Sequence, residues 1–402
     1  MRNDPILFER LPALHKSLRI AVVTETYPPE VNGVAMSLGC FVNGLHARGH
    51  EVQLVRPRQD KTDRAQNEER FEQVLMRGMP IPRYPSLKMG LPAKQALTRL
   101  WSFCRPDLVH IVTEGPLGWS ALQAALKLKI PVCSDFRTNF HAYSRHYGVG
   151  WLKRPIAAYL RKFHNRTLCT MVPTEALKRD LAALGFRDLK VVARGVDTRQ
   201  FDPARRSVEL RRGWGVTGDD PVVLHVGRLG PEKNPEDLIA AFEAMRARAP
   251  RAKLVLVGDG PHRAQLQAQC RDAVFAGMRV GEELGAHFAS GDIFLFPSLT
   301  ETYGNVTMEA MASGLAVVAY RYAAAAERIR NGENGLLAEV GDSQGFVDQA
   351  AGLVTDRARI RELGAHARAS AEGLDWGRVV EQLEAVFFSV AETGLRQHDS
   401  AA

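Results

Sequence analysis

The chain is poor in the features that mark many specialised folds. Its five cysteines, Cys40, Cys104, Cys133, Cys169 and Cys270, stand singly with no CxxC pair. An odd, scattered set argues against a disulfide framework and against a zinc knuckle. No apolar run approaches the ~20 residues that a membrane-spanning helix needs. The opening MRNDPILFER is charged at both ends of a very short apolar stretch, which is not the pattern of a secretory leader. There is no HExxH or comparable metal-ligand spacing. A GxGxxG dinucleotide fingerprint is missing, as are the finger patterns, RNP-type strands and basic-aromatic interleaving of nucleic-acid binders. Internal repeats and low-complexity segments are absent too. These absences leave a globular protein of a reducing compartment, expected in the cytoplasm, with no metal, no cofactor and no nucleic-acid partner.

What is present is ordinary in composition and uneven in charge. The 402 residues are 45% apolar and 24% charged, a length that suits two or three domains of ~150 residues. Lys plus Arg number 53 against 45 Asp plus Glu, a net charge of +8. Residues 1–200 hold 31 basic and 17 acidic residues, or +14, whereas the remainder holds 22 and 28, or −6. So basic a half suits an anionic small molecule or an anionic lipid surface; the plainer reading is solubility charge spread over a surface.

Short β-branched runs alternate with amphipathic stretches. Arg19–Val23, Glu51–Val55, Asp107–Val112 and Val132–Phe136 read as strands, each followed by a helical pattern. Between the first two, Val34, Leu38, Phe41, Val42 and Leu45 form one stripe that stops at Gly49. That is a βαβ rhythm and predicts a parallel sheet covered on both faces. A stretch at 197–218, dense in Gly, Pro and Asp, reads as a connection. The rhythm then restarts with PVVLHVG, AKLVLVGDG, DIFLFPS and LAVVAY as strands, and DWGRVVEQLEAVFFSV closes the chain as a long amphipathic helix. The fold class is therefore α/β, with two doubly wound domains, and chemistry belongs in loops that follow strands.

Four such loops stand out. In TETYPPEVNGVA, Gly33 sits where a backbone N–H meets a helix start; it is either a turn glycine or an anion contact. In HVGRLGPEKNPEDLIAAF, Arg228 and Lys233 precede a helix and read as a diphosphate clamp, or as two exposed charges on a loop. In SLTETYGNVTMEAMASG, Glu301 and Glu309 lie eight apart on either side of a helix start. They read as hydroxyl acceptors for a sugar, or as a cap and a solvent-facing glutamate. In VCSDFRTNFHAYSRHYG, His141 follows a strand and is an acid/base, a substrate donor or a structural imidazole.

Taken in order, TYPPEVNGVA, FRTNFHAYSRHYG, RGVDTRQFDP, VGRLGPEKN, LVGDGP, FAGMRVGEEL, DIFLFPSLTETYGNVTMEAMASG and the glutamate of AAAAERI resemble the retaining nucleotide-sugar glycosyltransferases of family 4. FRTNFHAYSRHYG is most similar to the GDP-mannose-dependent α-mannosyltransferases and their sulfolipid-synthase-like relatives. The resemblance implies a GT-B architecture, two Rossmann-like domains facing each other across a cleft. Residues 1–200 are then the acceptor side and 201–374 the nucleotide-sugar side, with a final helix and tail, 375–402, returning to the first domain. It further implies catalytic roles for His141, Glu301, Arg228 and Lys233. Donor contacts are implied for Gly33, Arg228, Lys233, Glu301, the amides of Gly304, Asn305 and Val306, and Glu309 at the ribose. Met278 and Val280, in the loop from Gly277, are implied beside the base.

The expected activity is transfer of a hexose, best read as mannose from GDP-mannose, to a lipid or glycan acceptor without a metal. A UDP-sugar-dependent glycolipid synthase and a non-catalytic NDP-sugar-binding protein are the alternatives. Three departures from the family pattern bear on sugar and acceptor: Tyr303, Arg194 before Gly195, and the alanine-rich stretch 322–326. Finally, GWLKRPIAAYLRKFHNRTL sets Trp151, Ile156, Tyr159, Leu160 and Phe163 among five cations. It reads either as an interfacial helix touching the inner face of an anionic membrane or as a core helix with a charged outer face.

Overall fold

The described residues of the computed structural model are 17–30, 32–81, 84–137, 153–301 and 303–399. The chain divides into two compact units, one running through Ser134 and resumed from Glu384, the other spanning Asp135–Leu383.

The first unit contains β1 (Arg19–Val23), β2 (Glu51–Pro57), β3 (Phe71–Met76), β4 (Gly78–Ile81), β5 (Tyr84–Gly90), β6 (Leu108–Ile111) and β7 (Val132–Asp135), the last strand ending one residue past Ser134. Strands β3-β2-β1-β6-β7 run side by side, all parallel. Their runs of Val, Ile and Leu show no alternation because both faces are covered. β4 and β5 form a separate antiparallel ribbon. The helix Gly33–Ala47 buries Ala35, Leu38, Phe41, Val42 and Leu45. Its start is fixed by Asn32, whose side chain accepts from the amides of Val34 and Ala35. The segment from Glu384 completes this unit: Phe387 is fully buried with its ring 5.1 Å from that of His110. Glu384 accepts from Arg48 at 2.6 Å and pairs with His50 at 2.8 Å.

The second unit begins with the parallel pair β8 (Cys169–Val172) and β9 (Leu189–Val191). It continues with β10 (Val222–Val226), β11 (Lys253–Val257), β12 (Val274–Gly277), β13 (Ile293–Phe296), β14 (Ala316–Tyr320) and β15 (Leu336–Ala338). These six form a parallel sheet in the order β12-β11-β10-β13-β14-β15. Counted from β10 the order is 3-2-1-4-5-6, the doubly wound arrangement, and it reverses between β10 and β13. In the first unit the order reverses in the same way between β1 and β6.

The stretch 197–218, read as a connection, is built of short capped turns. Asp202 caps the turn Pro203–Arg205 and Ser207 caps the helix Val208–Gly213. Arg211 is buried there and donates to the carbonyls of Ser290 and Asp220. The candidate interfacial stretch folds as a helix over Lys153–His164. Leu160 is buried with Phe136, Val172, Leu181 and Phe186, with Ile156 partly buried beside them, and Phe163 is fully buried. Those side chains are core rather than membrane anchors, and of the four apolar candidates among the described residues only Tyr159 stays exposed. Among the described residues no helix is long and apolar enough to cross a membrane.

Candidate active site

Ligands of open parallel sheets bind outside the carboxyl ends of the strands, where the strand order reverses. In the second unit the two strands at that point are β10 and β13, and the loops after them carry Arg228, Lys233 and Glu301. β10 runs into Gly227, whose φ of 151° belongs to glycine, and β11 runs into Gly258, with φ of 130°. A Cβ on Gly258 would collide with the carbonyl oxygen of Gly227. The two strand ends therefore touch backbone to backbone, and the loop beginning at Arg228 lies against the end of β11. Leu229 N donates to Asp259 O and His262 N to Leu229 O, which fixes that loop from both sides.

Arg228 is half-exposed, with its guanidinium 3.9 Å from Glu232. A single turn, Pro231–Lys233, follows. Asn234, at φ 51°, then turns the chain into the helix Pro235–Arg248. Asp237 anchors that corner, accepting from Asn234, from Ser343 and from Tyr320 at 2.5 Å. Lys233 is thereby aimed across the switch point. Its ammonium meets the Glu301 carboxylate and lies 5.2 Å from the ring centroid of Phe296 at the end of β13. Ser298 donates to the same Glu301 oxygen at 2.7 Å. Two residues singled out separately in the sequence, 68 positions apart, thus form one contact.

After Glu301 the chain reaches Gly304 at φ 92°, which serves as the N-terminal cap of the helix Asn305–Ala312 without any side-chain cap. The conformation suits only glycine at ease. Gly304 lies close to Glu301, since a Cβ on it would come 3.5 Å from Glu301 Cγ, so the helix that starts with Asn305 and Val306, with its uncapped first amides, begins beside that carboxylate. Glu309 follows on the same helix. Its carboxyl has no charged or hydrogen-bonding partner among the described residues, and desolvation pushes its pKa up to about 7. The side chain is only partly buried, and a carboxyl that is desolvated yet unpartnered at a helix start reads as a group kept for a ligand.

Sequence reasoning passed over His225, Ser298 and Phe296. His225 lies within β10 near Lys233 and Glu301, its Nδ1 donating to Leu295 O at 3.0 Å and its ring stacked on Phe296. Desolvation first, then the nearby Lys233, depress its pKa to about 4, so it stays neutral near pH 7. Only its place two residues before Gly227 signalled it. Met278 and Val280, after β12, are exposed apolar side chains. Tyr303 is buried, with its hydroxyl 3.3 Å from the Arg194 carbonyl oxygen, so two of the three departures from the family pattern touch one another. Glu327 accepts from Glu175 N at 2.7 Å and caps the helix Glu175–Ala183. Gly33 lies in the first unit, exposed, at the first position of its helix and after β1, that sheet's own switch point. His141 lies outside the described residues.

Residues 220–356 match the family model for glycosyl transferases group 1, and residues 31–200 match that for glycosyltransferase family 4. The chain is 35% identical over 373 residues to a GDP-mannose-dependent alpha-mannosyltransferase of Mycobacterium tuberculosis, covering 91% of this chain and 95% of that one. It is 32% identical to the sulfoquinovosyl transferase SQD2 of Arabidopsis thaliana, over 94% of this chain and 75% of the relative. Among solved structures, the sucrose-phosphate synthase of Thermosynechococcus elongatus superposes with a TM-score of 0.74, covering 96% of this chain and 100% of that one. Its 18% identity speaks for the fold alone.

Proposed function

This chain belongs to glycosyltransferase family 4, and from that premise we propose that it moves mannose from GDP-mannose, with retention, to a lipid or glycan acceptor. The observation that carries the reading is the switch-point constellation: Arg228 and Lys233 on one loop, Glu301 against Lys233, and Glu309 unpaired on the helix that starts at Gly304. Breaking the bond between the sugar and the diphosphate leaves negative charge on the departing phosphate. Arg228, Lys233 and the uncapped helix start lie ready to stabilise that charge, so no metal is required. Donor binding draws Lys233 from Glu301 towards phosphate and leaves the Glu301 carboxylate to accept from a sugar hydroxyl. Glu309 accepts from the ribose hydroxyls, and the exposed Met278 and Val280 cover a face of the base. Retention without an enzymic nucleophile places acceptor and leaving group on one face of the sugar, and the family resemblance assigns a role in that chemistry to His141.

The mannose reading is supported by the 35% identical relative, which spans nearly the whole chain. A glycolipid synthase using another sugar nucleotide is the second reading, favoured by the 32% identity to the sulfoquinovosyl transferase. Purified protein is incubated with GDP-mannose, UDP-glucose and UDP-sulfoquinovose, each with and without lipid extract and with a chelator. Release of GDP dependent on lipid and indifferent to chelator is expected. UDP release instead, or no nucleotide release with any donor, overturns the mannose proposal.

A further inference from the structure

The first unit carries a charged cavity that the donor reading leaves unused. It has a volume of about 720 Å³ and lies at the carboxyl ends of β2 and β3. Arg58 stands one residue after β2, Arg77 one residue after β3, Lys61 in the loop between them, and Lys88 on β5. The ribbon of β4 and β5 holds Lys88 over the strand ends. Its first residue, Gly78, lies so close to Pro57 that a Cβ would come within 2.8 Å of the Pro57 Cβ. Arg58 N donates to Met76 O and Leu91 N to Arg77 O, which ties the three chain segments together.

The carboxylates of this region are engaged elsewhere. Asp63 is held by Arg56 through two bonds of 2.6 and 2.9 Å, and Glu30 accepts from Gln59 at 2.6 Å. Asp60 is the one carboxylate among the lining residues, and its Oδ1 already accepts from Thr62 and from Asp63 N. Among the described residues none of Arg58, Lys61, Arg77 and Lys88 forms an ion pair. Four like charges around one concavity repel each other, and an anion relieves that repulsion. The volume falls in the ~300–1,000 Å³ range of small-molecule sites rather than that of a flat electrostatic patch.

We propose that this cavity is an anion site separate from the donor residues, and that it takes a phosphate or carboxylate group of the acceptor. The word acceptor rests on the transferase reading; the anion site does not. The source of the anion is either a soluble phosphorylated or acidic molecule or the headgroup of a lipid, and the test separates the two.

The full chain, saturated with GDP so that the donor clamp is occupied, is titrated calorimetrically with glycerol 3-phosphate at low salt. In parallel it is sedimented with phosphatidylcholine vesicles with and without phosphatidylglycerol. Arg77→Gln combined with Lys88→Gln is expected to weaken the response by roughly tenfold or more, because each lost charge-assisted bond counts for about that much. Asp60→Asn is expected to strengthen it a few-fold, and it keeps a side chain able to hold the turn. Binding of glycerol 3-phosphate that follows these variants assigns the site to a soluble anion. Binding of phosphatidylglycerol vesicles alone that follows them assigns it to a lipid headgroup. If the double variant and Asp60→Asn both respond as the parent does to either probe, or the parent responds to neither, the proposal is overturned. GDP affinity, measured on the same samples, should stay within about twofold; its loss in the parent protein would instead count against the transferase reading.

Discussion

Glu309→Gln is expected to stabilise the unliganded protein while impairing it as an enzyme. The carboxyl has an ordinary value of 4.5 and sits at about 7 in the fold, raised by desolvation. The folded state therefore holds a proton that the unfolded chain releases between those values. Stability falls as pH rises through that window, and the loss is complete above about pH 7. A displacement of ~2.5 units at 1.36 kcal/mol each gives about 3 kcal/mol as the upper value of the penalty at pH 8. Glutamine fills the same space without the charge, so the variant should gain most of that amount at pH 8 and almost nothing near pH 4. For a unit of ~150–250 residues this is a rise in Tm of several degrees at pH 8, at ~2–4 °C per kcal/mol. His225 acts in the opposite sense, its depressed value making stability fall as pH drops from 6.5 through about 4. The comparison must therefore be variant against parent at each pH, not the raw profile. GDP should show the reverse preference. Hydrogen bonds from ribose hydroxyls to a carboxylate are worth ~1.5–3 kcal/mol, so the variant should bind GDP about tenfold or more weakly. Thermal melts from pH 4 to 8, with and without GDP, measure both effects. Parallel melting curves for parent and variant at all pH values, or an unchanged GDP-induced rise in Tm, would refute the reasoning.

Arg228→Ala and Lys233→Ala should each lower nucleotide release about 10²-fold or more, read in single-turnover assays; full activity in both removes the diphosphate assignment. Ser298→Ala leaves Glu301 with Lys233 alone, and we expect KM for the donor to rise a few-fold with a smaller change in kcat. Gly304→Ala forces a side chain into φ 92° and should cost ~1–2 kcal/mol of stability in denaturant melts. Gly258→Ala places a Cβ on the Gly227 carbonyl oxygen and should cost ~3 kcal/mol or more, seen as loss of soluble protein.

The parallel strands were the most legible part of the chain. Arg19–Val23 reads as a strand and appears residue for residue, because a short apolar run rich in β-branched residues between turn signals has few other uses. β9 and β15 were not readable: three residues carry too little pattern to separate a strand from a loop. The β4 and β5 ribbon was hidden by prolines at 80, 82 and 85, which argue against a sheet interior and are tolerated in a two-stranded edge. At the site, Arg228, Lys233 and Glu301 were legible as residue types after strands. Their pairing was not, since it depends on β10 and β13 being neighbours across the strand-order reversal. The unpaired state of Glu309 and the neutrality of His225 come from burial, which no local spacing encodes. The five-cation stretch 150–168 misled in part, because Leu160 and Phe163 share helical spacing with their charged neighbours yet face the core.

The manner in which the first unit is completed bears on how the protein is made. Its sheet emerges first, but Phe387 and the partner of Arg48 and His50 come from the segment that begins at Glu384. Translation runs at ~5–20 residues per second, so the whole of the second unit, on the order of tens of seconds of synthesis, separates the two halves of one core. During that interval the apolar surface around His110 has no cover and is a target for chaperones or for a second nascent chain. The second unit, continuous from Asp135 to Leu383, has no such wait. The first unit to begin on the ribosome is therefore the last whose chain is complete.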